Sequence, residues 1–178
     1  MFVVLVGPKG SGKSHIGRTL ERAFGVLFFH VEPLWMSYYA ECTAAGRQPT
    51  IEEGIAKVHP RIAEAIRNNP HVCVETTGAS PEILNDLLSL CQPSQTLVVK
   101  VWAPLALCLE RIATRDPTHQ IPMDSEGIRK VYALSSTAVY TPTFTVENTG
   151  LSDADIVSRF KSALAVPESE ANPLRPAI

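Results

Sequence analysis

Eight consecutive residues, Gly7-Pro8-Lys9-Gly10-Ser11-Gly12-Lys13-Ser14, restrict this chain more than any other segment. They satisfy G-x-x-x-x-G-K-[ST] at every position, and their neighbours supply the context the motif needs. Before them lies a short continuous apolar stretch, residues 2–6, which reads as a strand covered on both faces. After them, residues 13–24 place Ile16, Leu20, Ala23 and Phe24 on one stripe of a helix. The glycines let the intervening backbone curl with its N–H groups inward, an anion cradle at a helix N-terminus. Lys13, expected in a solvent-facing loop, can reach the β- and γ-phosphates of a nucleotide, and the Ser14 hydroxyl can ligate Mg²⁺. Gly7, Pro8, Lys9, Gly10, Ser11, Gly12 and His15 complete the expected nucleotide-binding segment.

The rest of the chain alternates strand-like runs with helical patterns. Residues 26–31, 71–75, 96–102 and 143–146 read as strands. Residues 33–46 carry Trp35, Tyr38, Tyr39 and Cys42 at helix-like spacing. Residues 50–68 open with a capping box, Thr50 followed by Glu53, and bury Ile55, Val58, Ile62, Ala65 and Ile66. Ser80 and Pro81 start a helix reaching about residue 91, and 104–114, 125–139 and 152–164 read as further helices. Five strands separated by helices imply an α/β fold. The expected architecture is a three-layer α/β/α arrangement on a five-stranded parallel sheet, of P-loop NTPase type. Residues 1–164 form one domain, and 165–178, with Pro167, Pro173 and Pro176, form a flexible tail.

Composition narrows the class. A chain of 178 residues suits a single domain. With 45% hydrophobic and 19% charged residues it is neither collagen, coiled coil nor wholly disordered. A net charge of −2 argues against a dedicated nucleic-acid binder. Cys42, Cys73, Cys91 and Cys108 form no CxxC pair, so free thiols are expected rather than a zinc site or a disulfide framework. The N-terminal apolar run is too short for a signal peptide, and Lys100 and Pro104 break the longest apolar stretch. The expectation is a cytoplasmic protein with no membrane segment.

Other residues then sort the phosphate-binding chemistry. No NKxD sequence for guanine recognition is present, and a motor or AAA-type ATPase is expected to need more chain. What remains is a small phosphotransferase. Glu75 ends the third strand, where P-loop proteins usually place an acid that orients the Mg²⁺ shell; the alternative is a capping or ion-pair role at the sheet edge. Glu32 ends the second strand, at the sheet edge where open α/β folds bind ligands, and suits a general base or an orienter of the acceptor hydroxyl. His30 is the other candidate there. Arg111 and Arg115, spaced i, i+4, share a helix face; the alternative is an exposed pair with Glu110 or Asp116 as partners. Arg18 reads as structural or solvated.

The stretch VLVGPKGSGKSHIGRTLERAFGVLFFHVE resembles the opening of shikimate kinase and its relatives in the nucleoside-monophosphate-kinase-like group. CLERIATRD resembles that group's lid entry, and FTVENTG-LSDADIVSRF its nucleotide-base loop. The resemblance covers most of residues 1–164. It implies an ATP-dependent small-molecule kinase using ATP and Mg²⁺, with Arg111 stacked on the base and Arg115 reaching the phosphates from a lid at about 115–124. The base would lie against the 147–150 loop, including Asn148 and Thr149, where Gly150 can turn left-handed. Trp35, Tyr38, Tyr39, Arg47, Lys57 and Arg61 surround the region where the group builds its acceptor pocket, which would fit an acceptor with an anionic group or a flat ring.

Departures from that group are as specific as the likeness. The Asp-x-Asp pair after the second strand is His30 and Glu32 here, and the triple-glycine loop is Thr76-Thr77-Gly78. The substrate-helix Phe-Arg falls near Ala56-Lys57, and the lid Arg-Pro-Leu-Leu near Ile121-Pro122-Met123-Asp124, with no arginine in register. The expected acceptor is therefore a hydroxyl or phosphate of a small metabolite other than shikimate. The expected partners are ATP and that acceptor, with no nucleic acid or membrane, in a monomer or homodimer. The alternative is a nucleotide-binding regulatory protein without transferase activity.

Overall fold

The computed structural model describes residues 1–116, 121 and 123–164. Half of the expected lid, residues 117–120 and 122, and the whole expected tail, 165–178, lie outside the described residues.

Strand β1 (Phe2–Val6) is the centre of the fold. It pairs in parallel with β3 (Val72–Thr76) on one side and β4 (Thr96–Trp102) on the other. All five of its residues are buried because alternate side chains enter two different cores. Phe2, Val4 and Val6 join Trp35, Tyr38, Val58, Ile62, Leu84 and Leu87 beneath α2 (Glu32–Ala44), α3 (Ile51–Asn68) and α4 (Pro81–Ser89). Val3 and Leu5 join Ile16, Leu20, Ile156 and Phe160 beneath α1 (Lys13–Phe24) and α7 (Asp153–Leu164). Each such side chain contributes about 1.5–3 kcal/mol of burial. The helix layers and the order β2-β3-β1-β4-β5, all parallel, are the expected α/β/α architecture. β5 (Phe144–Glu147) forms one edge; α5 (Leu105–Ala113) and α6 (Ser125–Thr137) complete the chain.

The other edge departs from expectation. β2 is only Leu27–Phe28, paired with Val72 and Cys73, instead of residues 26–31. Its extension stops because Val31 takes helical angles (φ −83°, ψ −28°) as the N-cap of α2, with Pro33 in the first turn. Glu32 therefore opens a helix and does not end a strand. Thr50 caps α3 by accepting from Glu53 N at 3.3 Å, but the box is half-formed. Thr50 N donates to the Tyr38 hydroxyl (2.8 Å), while the Glu53 carboxylate takes Arg47. The four cysteines are free, with Cys42, Cys73 and Cys108 buried. Among the described residues, no helix is long and apolar enough to cross a membrane.

Candidate active site

Parallel pairing in register brings the carboxyl ends of β1 and β3 together, Leu5 opposite Glu75 and Val6 opposite Thr76. The P-loop springs from this edge. Its first amide, Gly7 N, donates to Thr76 O at 3.1 Å. A Cβ at Gly7 would stand 1.9 Å from the Val101 carbonyl oxygen, so no larger residue fits against β4. Gly12, the N-cap of α1, has φ +92°, and a Cβ there would meet Asn148 Nδ2 at 2.1 Å. Asn148 is buried and donates from Nδ2 to Ser11 O at 3.0 Å. The segment after β5 thus braces the P-loop from behind. Pro8 and Ser11 are buried within the loop itself.

Lys13 is not the solvent-facing residue that a glycine-rich loop led us to expect. It is 7% exposed, and Nζ donates to Gly7 O (2.7 Å) and Pro8 O (2.9 Å). Loss of hydration lowers its pKa from the ordinary lysine value, opposed by the nearby Glu75 carboxylate. A cation held against backbone carbonyls inside an anion cradle is poised to exchange them for phosphate oxygens. Lys9 is also depressed by burial, against the pull of Glu32. Its Nζ donates to Ile121 O at 2.6 Å and stands 3.8 Å from Glu32 Oε1, which accepts from Ile121 N at 3.0 Å.

Ser14 Oγ lies 2.9 and 3.0 Å from the two carboxylate oxygens of Glu75, and Arg115 Nη2 donates to the same hydroxyl at 3.4 Å. A hydroxyl and one carboxylate converging at the P-loop make a hard-oxygen donor set. That set fits Mg²⁺, which takes few protein ligands and completes its shell with water and phosphate.

Two cavities open from the loop. The first, about 250 Å³, has Lys9, Lys13, Ser14, Glu32, Glu75 and Arg115 at its P-loop end and mostly apolar walls beyond. The second, about 370 Å³, is walled by Gly10, Gly12, His15, Arg111, Arg115 and Asn148, joined by Gly150, whose φ is +134°. Arg111 Nη1 donates to Gly10 O at 3.4 Å, and His15 Nε2 is 3.2 Å from Asp153 Oδ1. Arg18, expected to be structural or solvated, is exposed and also lines this second cavity. Thr149 is exposed and outside its wall.

Several expected acceptor-pocket residues lie elsewhere. Trp35 and Tyr39 line the first cavity, but Tyr38 turns into the core and its hydroxyl donates to Thr50 O at 3.0 Å. Arg47 pairs with Glu53, Lys57 with Glu41, and Arg61 with Glu64 (3.7 Å), none of them on the cavity wall. The helix of Lys57 and Arg61 was legible, but the side of it they occupy was not, and Arg47 lies in the segment between α2 and α3. His30 is exposed against the Phe28 ring and is also absent from the wall. Sequence reasoning missed His59. It is 4% exposed on α3, lines the first cavity and holds Asp86 of α4 through Nδ1. A histidine beside the apolar stripe of α3 was the only signal.

Residues 2–131 match the family model described as an AAA domain. The chain belongs to this AAA domain family. The match sets aside the argument from length against an AAA-type assignment, since the matched module fits within this chain. No curated protein sequence matches it. Solved structures that this AAA-domain chain resembles include kinases. A sugar kinase from Janibacter sp. HTCC2649 superposes with a TM-score of 0.65 at 13% identity, covering 90% of this chain and 92% of that one. A gluconokinase from Sinorhizobium meliloti 1021 gives 0.60 at 20% identity, with 92% and 90% covered. Shikimate kinase from Aquifex aeolicus gives 0.55 at 20%, with 92% and 96% covered. The AAA-domain chain therefore has the P-loop small-molecule kinase fold expected from its sequence.

Proposed function

We propose that this chain is an ATP-dependent phosphotransferase that moves the γ-phosphoryl group of Mg-ATP to a hydroxyl of a small acceptor. The observation that carries the reading is the continuity of the first cavity. The cradle residues Lys13, Ser14 and Glu75 line the same cavity as Trp35, Tyr39 and His59. A protein that only sensed nucleotide would need the cradle but no second, deeper pocket leading into it.

Roles follow from position. ATP lies with its phosphates on the P-loop and its base and ribose toward the second cavity, between Arg111 and the Asn148–Gly150 segment. Lys13 releases the Gly7 and Pro8 carbonyls and takes β- and γ-phosphate oxygens, countering charge that shifts during transfer. Ser14 and Glu75 would hold Mg²⁺, which supplies charge neutralisation across the phosphates. Arg115, already turned to Ser14, reaches the γ-phosphate from the opposite side. Glu32 orients the acceptor hydroxyl and takes its proton as oxygen bonds to phosphorus and ADP departs. Positioning dominates such transfers, so a carboxylate that holds the hydroxyl in line is sufficient.

The test is a thermal-shift series of nucleotides with and without Mg²⁺, followed by ADP-release assays over hydroxyl acceptors. Mg²⁺-dependent stabilisation by ATP with acceptor-stimulated ADP release is expected. Stabilisation with no acceptor-stimulated turnover would assign the chain to nucleotide-dependent regulation instead.

A further inference from the structure

The chemistry of the first cavity beyond the phosphates narrows the acceptor. Every cation on its wall among the described residues belongs to the P-loop end: Lys9, Lys13 and Arg115. Lys9 is engaged by Ile121 O and Glu32, and Lys13 by loop carbonyls. The three cations that a sugar acid or phosphorylated acceptor would want deeper in, Arg47, Lys57 and Arg61, are paired with carboxylates outside the cavity. An acceptor carboxylate in the deep half would be desolvated against apolar side chains with no counter-charge, a costly placement. Trp35, Tyr39, Ile62, Ile83, Leu87 and Val131 line that half and favour an apolar body.

Besides the polar tips of Trp35 and Tyr39 and the hydroxyls of Thr76 and Thr77, this wall carries one imidazole. His59 is almost fully buried, and its Nδ1 is held by Asp86 Oδ2. A carboxylate only accepts, which assigns the ring proton to Nδ1 and leaves Nε2 as the atom available to the cavity. A hydroxyl both donates and accepts, so it satisfies that nitrogen whether the ring is neutral or charged. A buried ring fixed by a second residue from another helix is a rigid reader, and the few placed polar groups of a mostly apolar pocket set orientation.

We infer that the acceptor is an uncharged, largely apolar alcohol with a second hydroxyl, the first presented to Glu32 and the P-loop and the second read by His59. This deepens the phosphotransferase reading and rests on it for the fate of the first hydroxyl. His59 is here a specificity residue that touches the acceptor; Asp86 is a positioning residue acting through it.

Calorimetric titration with Mg-ADP present tests the pocket separately from turnover. The probes are phenylethanediol and related aryl and alicyclic diols, their mono-alcohol counterparts such as phenylethanol, and gluconate and shikimate. Diols are expected to bind about tenfold more tightly than matched mono-alcohols, the value of one added hydrogen bond, with no binding of the two acids. His59→Asn keeps a donor for Asp86 but removes the Nε2 position, and it should bring diol and mono-alcohol to equal affinity. His59→Gln restores a polar atom near Nε2 and should keep the preference. Circular dichroism confirms that each variant is folded, and the wild-type probe series stands without either. Binding of gluconate or shikimate in place of the diols, equal wild-type affinity for diol and mono-alcohol, or no binding across the series overturns the inference. Diol binding without ADP release under Mg-ATP would support the pocket chemistry and sink the phosphotransferase reading. ADP release driven by gluconate would do the reverse.

Discussion

The hydroxyl of Ser14 and the carboxylate of Glu75 meet at 2.9 and 3.0 Å, joining the first turn of α1 to the end of β3. Parallel register makes the contact possible, because Glu75 sits opposite Leu5 just before the P-loop begins. Glu75→Gln keeps a hydrogen-bonding partner for Ser14 but removes the charge that Mg²⁺ needs. We expect the Mg²⁺ concentration giving half of the ATP-dependent rise in Tm to increase about 10- to 100-fold. Chelation by EDTA should remove the same increment from the wild-type protein. An unchanged Mg²⁺ response in the variant would reduce Glu75 to a capping partner.

Lys13→Met keeps most of the buried stem and removes the charge. Turnover should fall by about 10²–10³-fold or more, as for loss of one preorganised charge-stabilising donor. Stability gives a second, signed test. The folded-state pKa of Lys13 lies below 10.5, chiefly from desolvation. Below that folded pKa the native state therefore holds an ammonium at a cost. As pH rises through the folded pKa toward 10.5 the unfolded chain binds more protons than the native one, so this contribution to stability rises. The wild-type minus variant difference in urea denaturation, measured without nucleotide, should climb over that range. A flat difference would place the Lys13 pKa at its ordinary value.

Arg111 lies in the last turn of α5 and Arg115 just past its C-terminal end, so the two do not share the expected helix face, and they point to different partners, Gly10 O and Ser14 Oγ. Arg111→Ala should raise KM for ATP more than it lowers kcat, since binding common to ground and transition states is lost. Arg115→Ala should lower kcat with a smaller change in KM. Steady-state kinetics with varied ATP separates them, and the reversed pattern would exchange their roles.

Tyr38 is a structural residue in a neighbourhood where the resemblance led us to expect acceptor contacts. Its hydroxyl accepts from Thr50 N and donates to Thr50 O, fixing the start of α3 against α2. Tyr38→Phe leaves Thr50 N without that partner and should cost about 1–3 kcal/mol, read as a lower urea midpoint at unchanged m. ATP affinity should not change. A loss of ATP affinity would move Tyr38 into the site.

What could be read in advance tracks how local each determinant is. The P-loop, β1 and the helix stripes are local patterns, and Phe2–Val6 with its neighbouring glycines specified both the sheet centre and the cradle. The break in β2 was not legible, because a run that is apolar apart from His30 looks alike in a paired strand and in a strand that stops after Phe28. Val31 and Pro33 turn that segment into a helix, which carries Glu32 off the strand yet leaves it on the cavity wall. The directions of Arg47, Lys57 and Arg61 depended on the carboxylates of Glu53, Glu41 and Glu64 on α2 and α3, and the His59–Asp86 pair depended on two helices packing side by side. Such pairings are tertiary facts, and one-dimensional spacing does not contain them.

The central claim is transfer of a phosphoryl group, and phosphorus NMR of a reaction mixture tests it most directly. Wild-type protein with Mg-ATP and the diol series should produce a new phosphomonoester resonance that grows in step with ADP, and Lys13→Met should abolish both. Persistence of ATP alone, or conversion to ADP and inorganic phosphate with no phosphomonoester under any acceptor, in a protein whose Tm still rises with Mg-ATP, would contradict the account.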